Sequence, residues 1–148
     1  MRALIQRVSK AALEVDHQVV AKIGAGLVIF LGVEKEDGPA QAEYLAKKIS
    51  QLRVFNDQNR KMNLSAKETG AELLVVSQVT LCIDLLKGRR PSFDQAAPPE
   101  LAEKLYQEFI RYLKETGLKV EQGVFKEYMR VTLENDGPVT FILDTKRE

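Results

Sequence analysis

The sequence predicts a layered α/β domain, with mixed β-sheets and two long helices packed on one face. Three features favour this fold class: two continuous apolar runs of strand length, two segments with apolar residues at helical spacing, and strand-like alternation near both ends of the chain. A strand that is apolar throughout is buried on both of its faces. We therefore expect helices on one face of the sheet and a second β layer, formed by the N-terminal hairpins and the C-terminal strands, on the other.

The composition limits the classes of protein that fit. A length of 148 residues is typical of one domain, so we expect a single domain over residues 1–148. The hydrophobic fraction of 45% and the charged fraction of 29% are those of an ordinary globular protein. A net charge of +1 excludes nucleic-acid binding through overall charge, so any such contact must be local.

The sequence also indicates the cellular compartment. No apolar run approaches the roughly 20 residues of a membrane span, and Arg2 and Arg7 lie where a signal peptide carries its apolar stretch. The single cysteine, Cys82, excludes an internal disulfide framework and fits a reducing compartment. The sequence therefore predicts a cytoplasmic protein without membrane contact.

The first part of the chain is predicted to be β structure. Residues 4–8, 11–15 and 19–23 alternate as strands do, and the polar residues 16–18 between the last two indicate a hairpin turn. Residues 27–33 are continuously apolar, which predicts a buried strand.

Two helices follow from apolar spacing. The first is predicted over residues 39–52, because Pro39 suits the first helical position and one stripe contains Ala42, Leu45, Ile49 and Leu52. The second is predicted from Pro98 and Pro99, with Gly117 as its C-terminal cap. Its apolar side contains Leu101, Leu105, Phe109 and Leu113. The chain then returns to strands over residues 131–133 and 139–143.

A cluster of polar residues ends the second buried strand. Residues 73–76 are apolar and run into Ser77, Gln78 and Thr80. If the extended conformation continues, Gln78 and Thr80 share one face of the strand. Buried polar groups need partners, so this cluster is either paired within the structure or free to bind a ligand.

The usual catalytic residues are missing. His17, the one histidine, lies in the predicted turn, where an exposed side chain without a catalytic partner is expected. Cys82 lies beside Ile83 and has no basic neighbour before Lys87, which favours a buried, unreactive thiol. One histidine and one cysteine cannot form a zinc cluster, and no calcium or phosphate-binding loop is present. We therefore expect no metal and no cofactor.

The triplet Asp-Gly-Pro occurs twice. The copy that ends at Pro39 precedes a helix, whereas Asp136-Gly137-Pro138 lies between two strands, where proline removes a ladder hydrogen bond. A Gly–Pro bond is compatible with both isomers, and trans is the more common. A cis bond at Pro138 would direct two successive carbonyl groups to one side.

The segments Ser77-Gln78-Val79-Thr80-Leu81 and Asn135-Asp136-Gly137-Pro138-Val139-Thr140 together resemble the paired signature of the D-aminoacyl-tRNA deacylase family. The resemblance covers essentially the whole chain. Its other segments are residues 1–3, 6–9, 31–33, 61–65, 87–93 and 97–100.

The resemblance implies a homodimer in which Gly137 and Pro138, as a Gly-cis-Pro motif, enter the partner's pocket. Its carbonyl groups would accept hydrogen bonds from the α-amino group of the substrate and exclude an L side chain, so glycyl-tRNA would also be cleaved. Arg7 matches the family position that holds the motif in place.

The resemblance also implies the chemistry. The 2′-hydroxyl of the terminal adenosine at the tRNA 3′ end would assist cleavage of the ester, while Ser77, Gln78 and Thr80 supply donors for the oxyanion. Phe125 and Met129 match positions that line the adenosine pocket; from the sequence alone, core packing is an equal alternative. The basic residues Lys87, Arg89 and Arg90 would contact phosphate, although a solvated surface loop also fits them.

This chain departs from the family pattern at a few positions. Val79 stands where Phe is common, Cys82 and Ile83 where Tyr and Ala are frequent, and residues 126–128 replace smaller ones. These differences concern the shape of the pocket and the rate. Two alternatives follow: a non-catalytic protein that binds the tRNA acceptor end, and a dimeric protein that binds or hydrolyses another small ester.

Overall fold

A computed structural model, which describes residues 1–85 and 89–146, shows a mixed six-stranded sheet, a two-stranded sheet and three α-helices. The helices are α1 (Pro39–Gln51), α2 (Ala66–Thr69) and α3 (Pro99–Glu115), and a short 3-10 helix covers Val79–Cys82. The strands are β1 (Arg2–Val15), β2 (Gln18–Ile23), β3 (Gly26–Gly32), β4 (Phe55–Asn56), β5 (Met62–Leu64), β6 (Glu72–Ser77), β7 (Val120–Gln122) and β8 (Arg130–Asp144).

The main sheet has the order β2-β1-β3-β6-β7, and β8 lies along the other edge of β1. β1 pairs antiparallel with β3 through its first half, with β2 through its second half, and with β8 along nearly its whole length. β3, β6 and β7 are parallel neighbours. Because β3 and β6 run in the same direction, their carboxyl ends meet at one edge of the sheet.

The two long helices cover one face of this sheet, as predicted. The buried side of α1 consists of Ala42, Leu45, Ala46, Ile49 and Ser50, and that of α3 consists of Leu105, Tyr106, Phe109, Ile110 and Leu113. Both apolar stripes pack on the larger core cluster with residues of β1, β3, β6 and β7. Gly117 follows α3 with a φ of +86°, the left-handed conformation expected of a C-terminal cap.

The opposite face holds a smaller core. It contains Val8, Ala11, Leu13, Ala21, Ile23, Val28, Leu74 and Val76. The second half of β1, β2 and the first half of β8 supply its outer layer. The predicted second β layer is thus a continuation of the same sheet, which bends over itself, rather than a separate sheet.

The sequence divided two strands that the structure joins. β1 runs without interruption across Ser9 and Lys10, which lie at a shift in the register between β1 and β8. β8 likewise continues across the Asp-Gly-Pro segment. Pairing continues on both sides of each irregularity, because a bulge disturbs a ladder locally without ending the strand.

The helix α2 and the β4–β5 hairpin were not predicted. Before α2, Ser65 and Glu68 form a capping box, in which the Glu68 carboxylate accepts a hydrogen bond of 2.7 Å from the Ser65 backbone N–H. The Ser-x-x-Glu spacing is a recognisable start signal for a helix, and a four-residue helix offers no apolar periodicity beside it. Among the described residues, no helix is long and apolar enough to cross a membrane.

Candidate active site

A cavity of about 330 Å³ lies at the carboxyl ends of β3 and β6. It is closed by the start of α3 and by the loop between β7 and β8. Its walls are Leu31, Val33, Ser77, Gln78, Val79, Ala97, Pro99, Ala102, Tyr106, Phe125, Lys126, Glu127 and Met129. The end of a sheet where parallel strands terminate is a common place for a ligand site.

The polar end of β6 differs from the expected extended strand. β6 ends at Ser77, and the 3-10 helix begins at Val79, so Gln78 and Thr80 are not alternate residues of one strand. The backbone N–H of Gln78 still donates to Leu31 O at 2.8 Å, and its carbonyl then accepts from the Leu81 N–H at 3.2 Å. The chain turns at this point, where the neighbouring strand β3 also ends.

Gly32 allows the 3-10 helix to lie close to the end of β3. A Cβ atom at this position would lie 2.7 Å from Cys82 Sγ, closer than real Cβ contacts come, and 3.0 Å from Leu81 Cβ, closer than most of them. The Arg2 guanidinium supports the same helix from the other side, since it donates to Leu81 O at 3.0 Å and pairs with Asp144 at 3.0 Å. The turn is therefore held by backbone contacts and by the Arg2 guanidinium, which also pairs with Glu34 at 3.5 Å.

Ser77 and Gln78 line the cavity, whereas Thr80 is exposed beside it. The Gln78 side-chain amide donates to Thr80 Oγ1 at 2.5 Å, so the two side chains predicted to act together do touch. Val79 and Thr80 are the first two residues of the 3-10 helix, so their backbone N–H groups have no partner within it. The strand end thus combines a hydroxyl, an amide and two backbone N–H groups that lie outside the hydrogen bonds of the 3-10 helix.

Phe125 and Met129 face the same cavity as Ser77 and Gln78. The Phe125 ring lies 5.8 Å from the ring of Tyr106, centroid to centroid. Met129 packs over Gly123, where an added Cβ would lie 2.6 Å from the Met129 sulfur. The Phe125 ring is partly exposed, so one aromatic face is open to a ligand that stacks.

Tyr106 is a site residue that the sequence analysis missed. It is buried, and its hydroxyl donates to Val75 O at 2.9 Å, two residues before the polar strand end. Burial raises the pKa of the Tyr106 hydroxyl, so it remains a neutral donor. In the sequence it is one apolar position among many on α3, and only its hydroxyl distinguishes it.

Gly137 and Pro138 lie in an exposed corner away from the walls of this cavity. Gln6 pairs with Thr140 and Val8 pairs with Asn135, so four residues, 136–139, lie opposite the single residue Arg7; the first three are exposed and Val139 is buried in the core. The Gly137–Pro138 peptide bond is cis. Asn135 closes the base of the corner, because its side-chain amide donates to Arg7 O at 2.9 Å and to Val139 O at 3.2 Å.

Arg7 anchors this corner from inside the sheet. Only 6% of the residue is exposed, and its Nε donates to Asp136 O at 3.2 Å and pairs with the Asp136 carboxylate at 3.0 Å. Its Nη1 donates to Val54 O at 2.7 Å. The guanidinium therefore ties the corner to the segment before β4.

The remaining predicted residues are placed as follows. His17 is exposed in the β1–β2 turn, as expected. Cys82 is buried as expected, and burial together with the nearby Glu34 charge raises the pKa of its thiol to about 11. Arg89 and Arg90 are exposed, while Lys87 lies outside the described residues. Neither His17 nor Cys82 lines the cavity, and Glu127 is the one carboxylate among the described residues that do.

Comparisons with known proteins identify the family. The family model described as D-Tyr-tRNA(Tyr) deacylase matches residues 4–144. The D-aminoacyl-tRNA deacylase of Thermodesulfovibrio yellowstonii is 54% identical over 99% of this chain and 100% of that protein.

Two solved structures share the fold. One, named c-Myc DNA Unwinding Element Binding Protein, is 39% identical, with a TM-score of 0.92 over 98% of this chain and 99% of the other. The second, a probable eukaryotic D-amino acid tRNA deacylase, is 17% identical, with a TM-score of 0.84 over 96% and 97% of the two chains, and it supports the fold alone. The family match over nearly the whole length and the relative at 54% identity lead to one conclusion: the chain belongs to the D-Tyr-tRNA(Tyr) deacylase family.

Proposed function

We propose that this protein hydrolyses the ester bond of D-aminoacyl-tRNA and releases the free D-amino acid and tRNA. The observation that carries the proposal is one cavity in which the polar strand end, Ser77 and Gln78, faces the apolar wall of Phe125 and Met129. Such a cavity suits a ligand with an ester at one end and a base at the other. The family membership supports the same reaction.

The adenosine at the 3′ end of tRNA occupies the apolar side in this proposal. Its base stacks on Phe125 and contacts Met129, and Tyr106 holds the Phe125 ring in place. An aromatic ring stacks on the flat face of a base. The ester carbonyl then lies at the end of β6.

The donors at the strand end stabilise the oxyanion that forms on this carbonyl. They are the Gln78 side-chain amide, the Ser77 hydroxyl, and the N–H groups of Val79 and Thr80, which have no partner within the 3-10 helix. Thr80 acts by orienting Gln78 through their mutual hydrogen bond. Removal of one such donor in other enzymes lowers the rate by about 10²–10³-fold.

The proton transfer uses the substrate in this proposal. The free 2′-hydroxyl of the terminal adenosine, which is adjacent to the ester, assists the attack of water on the carbonyl carbon, as the family resemblance implies. Water adds to the carbonyl, the tetrahedral species collapses, and the 3′-oxygen leaves with a proton. The protein supplies position and charge stabilisation.

The corner at Gly137 and Pro138 supplies chiral selection from a second subunit. It is exposed, it protrudes from the sheet, and it lies outside the cavity of its own chain. In a homodimer it enters the partner's cavity, where backbone carbonyl groups accept hydrogen bonds from the α-amino group and leave no space for an L side chain. Glycine has no side chain to exclude, so glycyl-tRNA is also cleaved.

The deciding experiment is a deacylation assay on purified protein with D-Tyr-tRNA, L-Tyr-tRNA and Gly-tRNA. We expect rapid loss of the D and glycyl esters and persistence of the L ester. A replacement of the terminal adenosine by 2′-deoxyadenosine should stop cleavage of the D ester, and unchanged turnover would contradict the role of the 2′-hydroxyl. Binding of D-Tyr-tRNA without turnover would instead favour a non-catalytic protein of the tRNA acceptor end.

The dimer and the corner are tested separately. Light scattering is expected to give twice the 16.7 kDa mass of the chain. In a Gly137→Ala variant the new Cβ would lie 3.2 Å from Asn135 Oδ1, so the Asn135 side chain, which closes the base of the corner, must shift by a few tenths of an ångström. We expect weaker discrimination between D and L esters, whereas a monomeric protein or unchanged discrimination would refute the cross-subunit arrangement.

A further inference from the structure

We propose that a second cavity, next to the adenosine pocket, binds the cytidine that precedes the terminal adenosine of tRNA. We name it the Tyr128 cavity; its volume is about 340 Å³, and it is lined by Glu14, Asp16, His17, Tyr128, Met129 and Arg130. The proposal rests on the proposed function, since it extends the path of the same RNA strand.

The two cavities share a wall. Met129 lines the adenosine pocket with Phe125, and it also lines the Tyr128 cavity. A single-stranded RNA that places its last base against Phe125 therefore has a second cavity directly across Met129. Neighbouring nucleotides of a single strand occupy neighbouring subsites in this way on other proteins.

Tyr128 offers the surface that a base needs. It is 98% exposed, more than any other large apolar or aromatic side chain among the described residues. The loop between β7 and β8 leaves the Tyr128 ring exposed to water, so the ring is not part of the core. An aromatic face in that state is typical of sequence-tolerant stacking with single-stranded nucleic acid.

The polar groups of the cavity suit cytosine and its phosphate. Glu14 and Asp16 are carboxylates, which accept hydrogen bonds from the exocyclic amine of cytosine. Arg130 lies opposite Glu14 in the β1–β8 ladder, and its exposed side chain forms no ion pair within the described part of the chain. Lys126 lines the adenosine pocket, is also exposed, and forms no ion pair with another described residue. Both Arg130 and Lys126 can therefore bind phosphate.

The backbone at Lys126, in the wall of the adenosine pocket, is unusual. Asp16 and His17 also have a positive φ, but they form the two-residue turn between β1 and β2, where that conformation is ordinary. Lys126 has a φ of +67° at a turn position that favours glycine or asparagine. Residues in sparsely populated conformations tend to gather at ligand sites, where they direct side chains to the ligand.

The test compares two stable analogues in a binding assay. One is adenosine with D-tyrosine joined to its 3′ carbon through an amide, and the other is the same molecule with a 5′-linked cytidylate. We expect the wild-type protein to bind the cytidylate analogue about fivefold more tightly or better, the low end of what one stacked base contributes. Replacement of cytidine by uridine, which lacks the amine, should weaken binding by about fivefold.

Variants assign the gain to Tyr128. Tyr128→Ala should remove the advantage of the cytidylate analogue and leave binding of the adenosine analogue unchanged, whereas Tyr128→Phe should retain both. Tyr44→Ala, at a half-exposed tyrosine of α1, is the matched control and should bind both analogues as the wild type does. Thermal unfolding of each variant verifies the fold.

The outcomes separate the two proposals. Equal affinity of the wild type for both analogues, or a gain that persists in Tyr128→Ala, overturns the Tyr128 subsite even if D-Tyr-tRNA is hydrolysed. A gain that depends on Tyr128 supports the subsite even if D-Tyr-tRNA is bound without turnover, in which case the proposed hydrolysis is refuted.

Discussion

Substitution of Arg7 by alanine is expected to destabilise the protein by about 3 kcal/mol. The largest part is the loss of the charged hydrogen bond to the buried Val54 carbonyl. Hydrogen bonds of this kind contribute about 1.5–3 kcal/mol. The pair with Asp136 adds only about 0–1 kcal/mol, because that carboxylate is 57% exposed and screened by water. The bond to the Asp136 carbonyl adds about 0.5–1 kcal/mol.

Urea and thermal unfolding measure this loss. For a chain of this length, a loss of about 3 kcal/mol lowers the Tm by roughly 6–12 °C. Arg7→Lys should lose about 1–2 kcal/mol, because one ammonium cannot serve Val54 O and Asp136 O in the geometry of a guanidinium. The matched control is Lys10→Ala on the same strand, an exposed cation paired with Glu134 at 3.8 Å, which should change stability by less than about 0.5 kcal/mol.

The reasoning is refuted if Arg7→Ala and Lys10→Ala unfold alike. In the same variants, the proposed filter predicts that Arg7→Ala cleaves L-Tyr-tRNA relatively faster than the wild type does, because the corner is no longer held. Full discrimination in a folded Arg7→Ala protein would mean that the corner keeps its position without this anchor.

Three further predictions concern residues of the site and its support. Tyr106→Phe should reduce the free energy of unfolding in urea by about 1 kcal/mol, because Val75 O keeps its second donor, the Gly123 N–H at 2.9 Å; a loss above about 3 kcal/mol would show that this second bond does not compensate. Gln78→Ala should lower kcat on D-Tyr-tRNA by about 10²–10³-fold while the exposed control Gln51→Ala does not, and equal rates would exclude the amide as an oxyanion donor. The pKa of Cys82 in the folded protein is raised to about 11, so the stability that the neutral thiol contributes is complete below pH 9 and is lost as the pH rises towards 11. Relative to Cys82→Ser, the free energy of unfolding of the wild type should fall by roughly 2 kcal/mol over that range. Parallel pH profiles of the two proteins would contradict the shift.

Strong local signals explain why most of the fold was predictable. The apolar runs of β3 and β6, the stripes of α1 and α3, and the prolines at the helix starts each identify an element within a short window. The β4–β5 hairpin and α2 lack such signals, because elements of two to four residues show no periodicity. The division of β1 and β8 was wrong because a bulge changes the pattern of exposure without ending the pairing.

For the candidate site, the sequence singled out some residues and missed others. The polar residues after β6 and the segment around Pro138 were conspicuous, because each departs from its surroundings in the sequence. Tyr106 was missed, because its place on the apolar stripe of α3 hides the hydroxyl that supports β6. Tyr128 was noted only as part of a departure from the family pattern, and nothing in the sequence indicates that its ring lies almost fully in water beside Met129.

The sequence by itself determined the α/β class, the positions of the long elements, and the family to which the chain belongs. The tertiary structure alone decided which distant residues meet: the end of β6 with the loop that carries Phe125, and Arg7 with the corner at Asp136. The physical reason is the distance along the chain over which each signal acts. Apolar spacing, proline and glycine act on their own neighbours, whereas a cavity arises where strands far apart in the chain pair, and that pairing depends on how the whole sheet bends around its two cores.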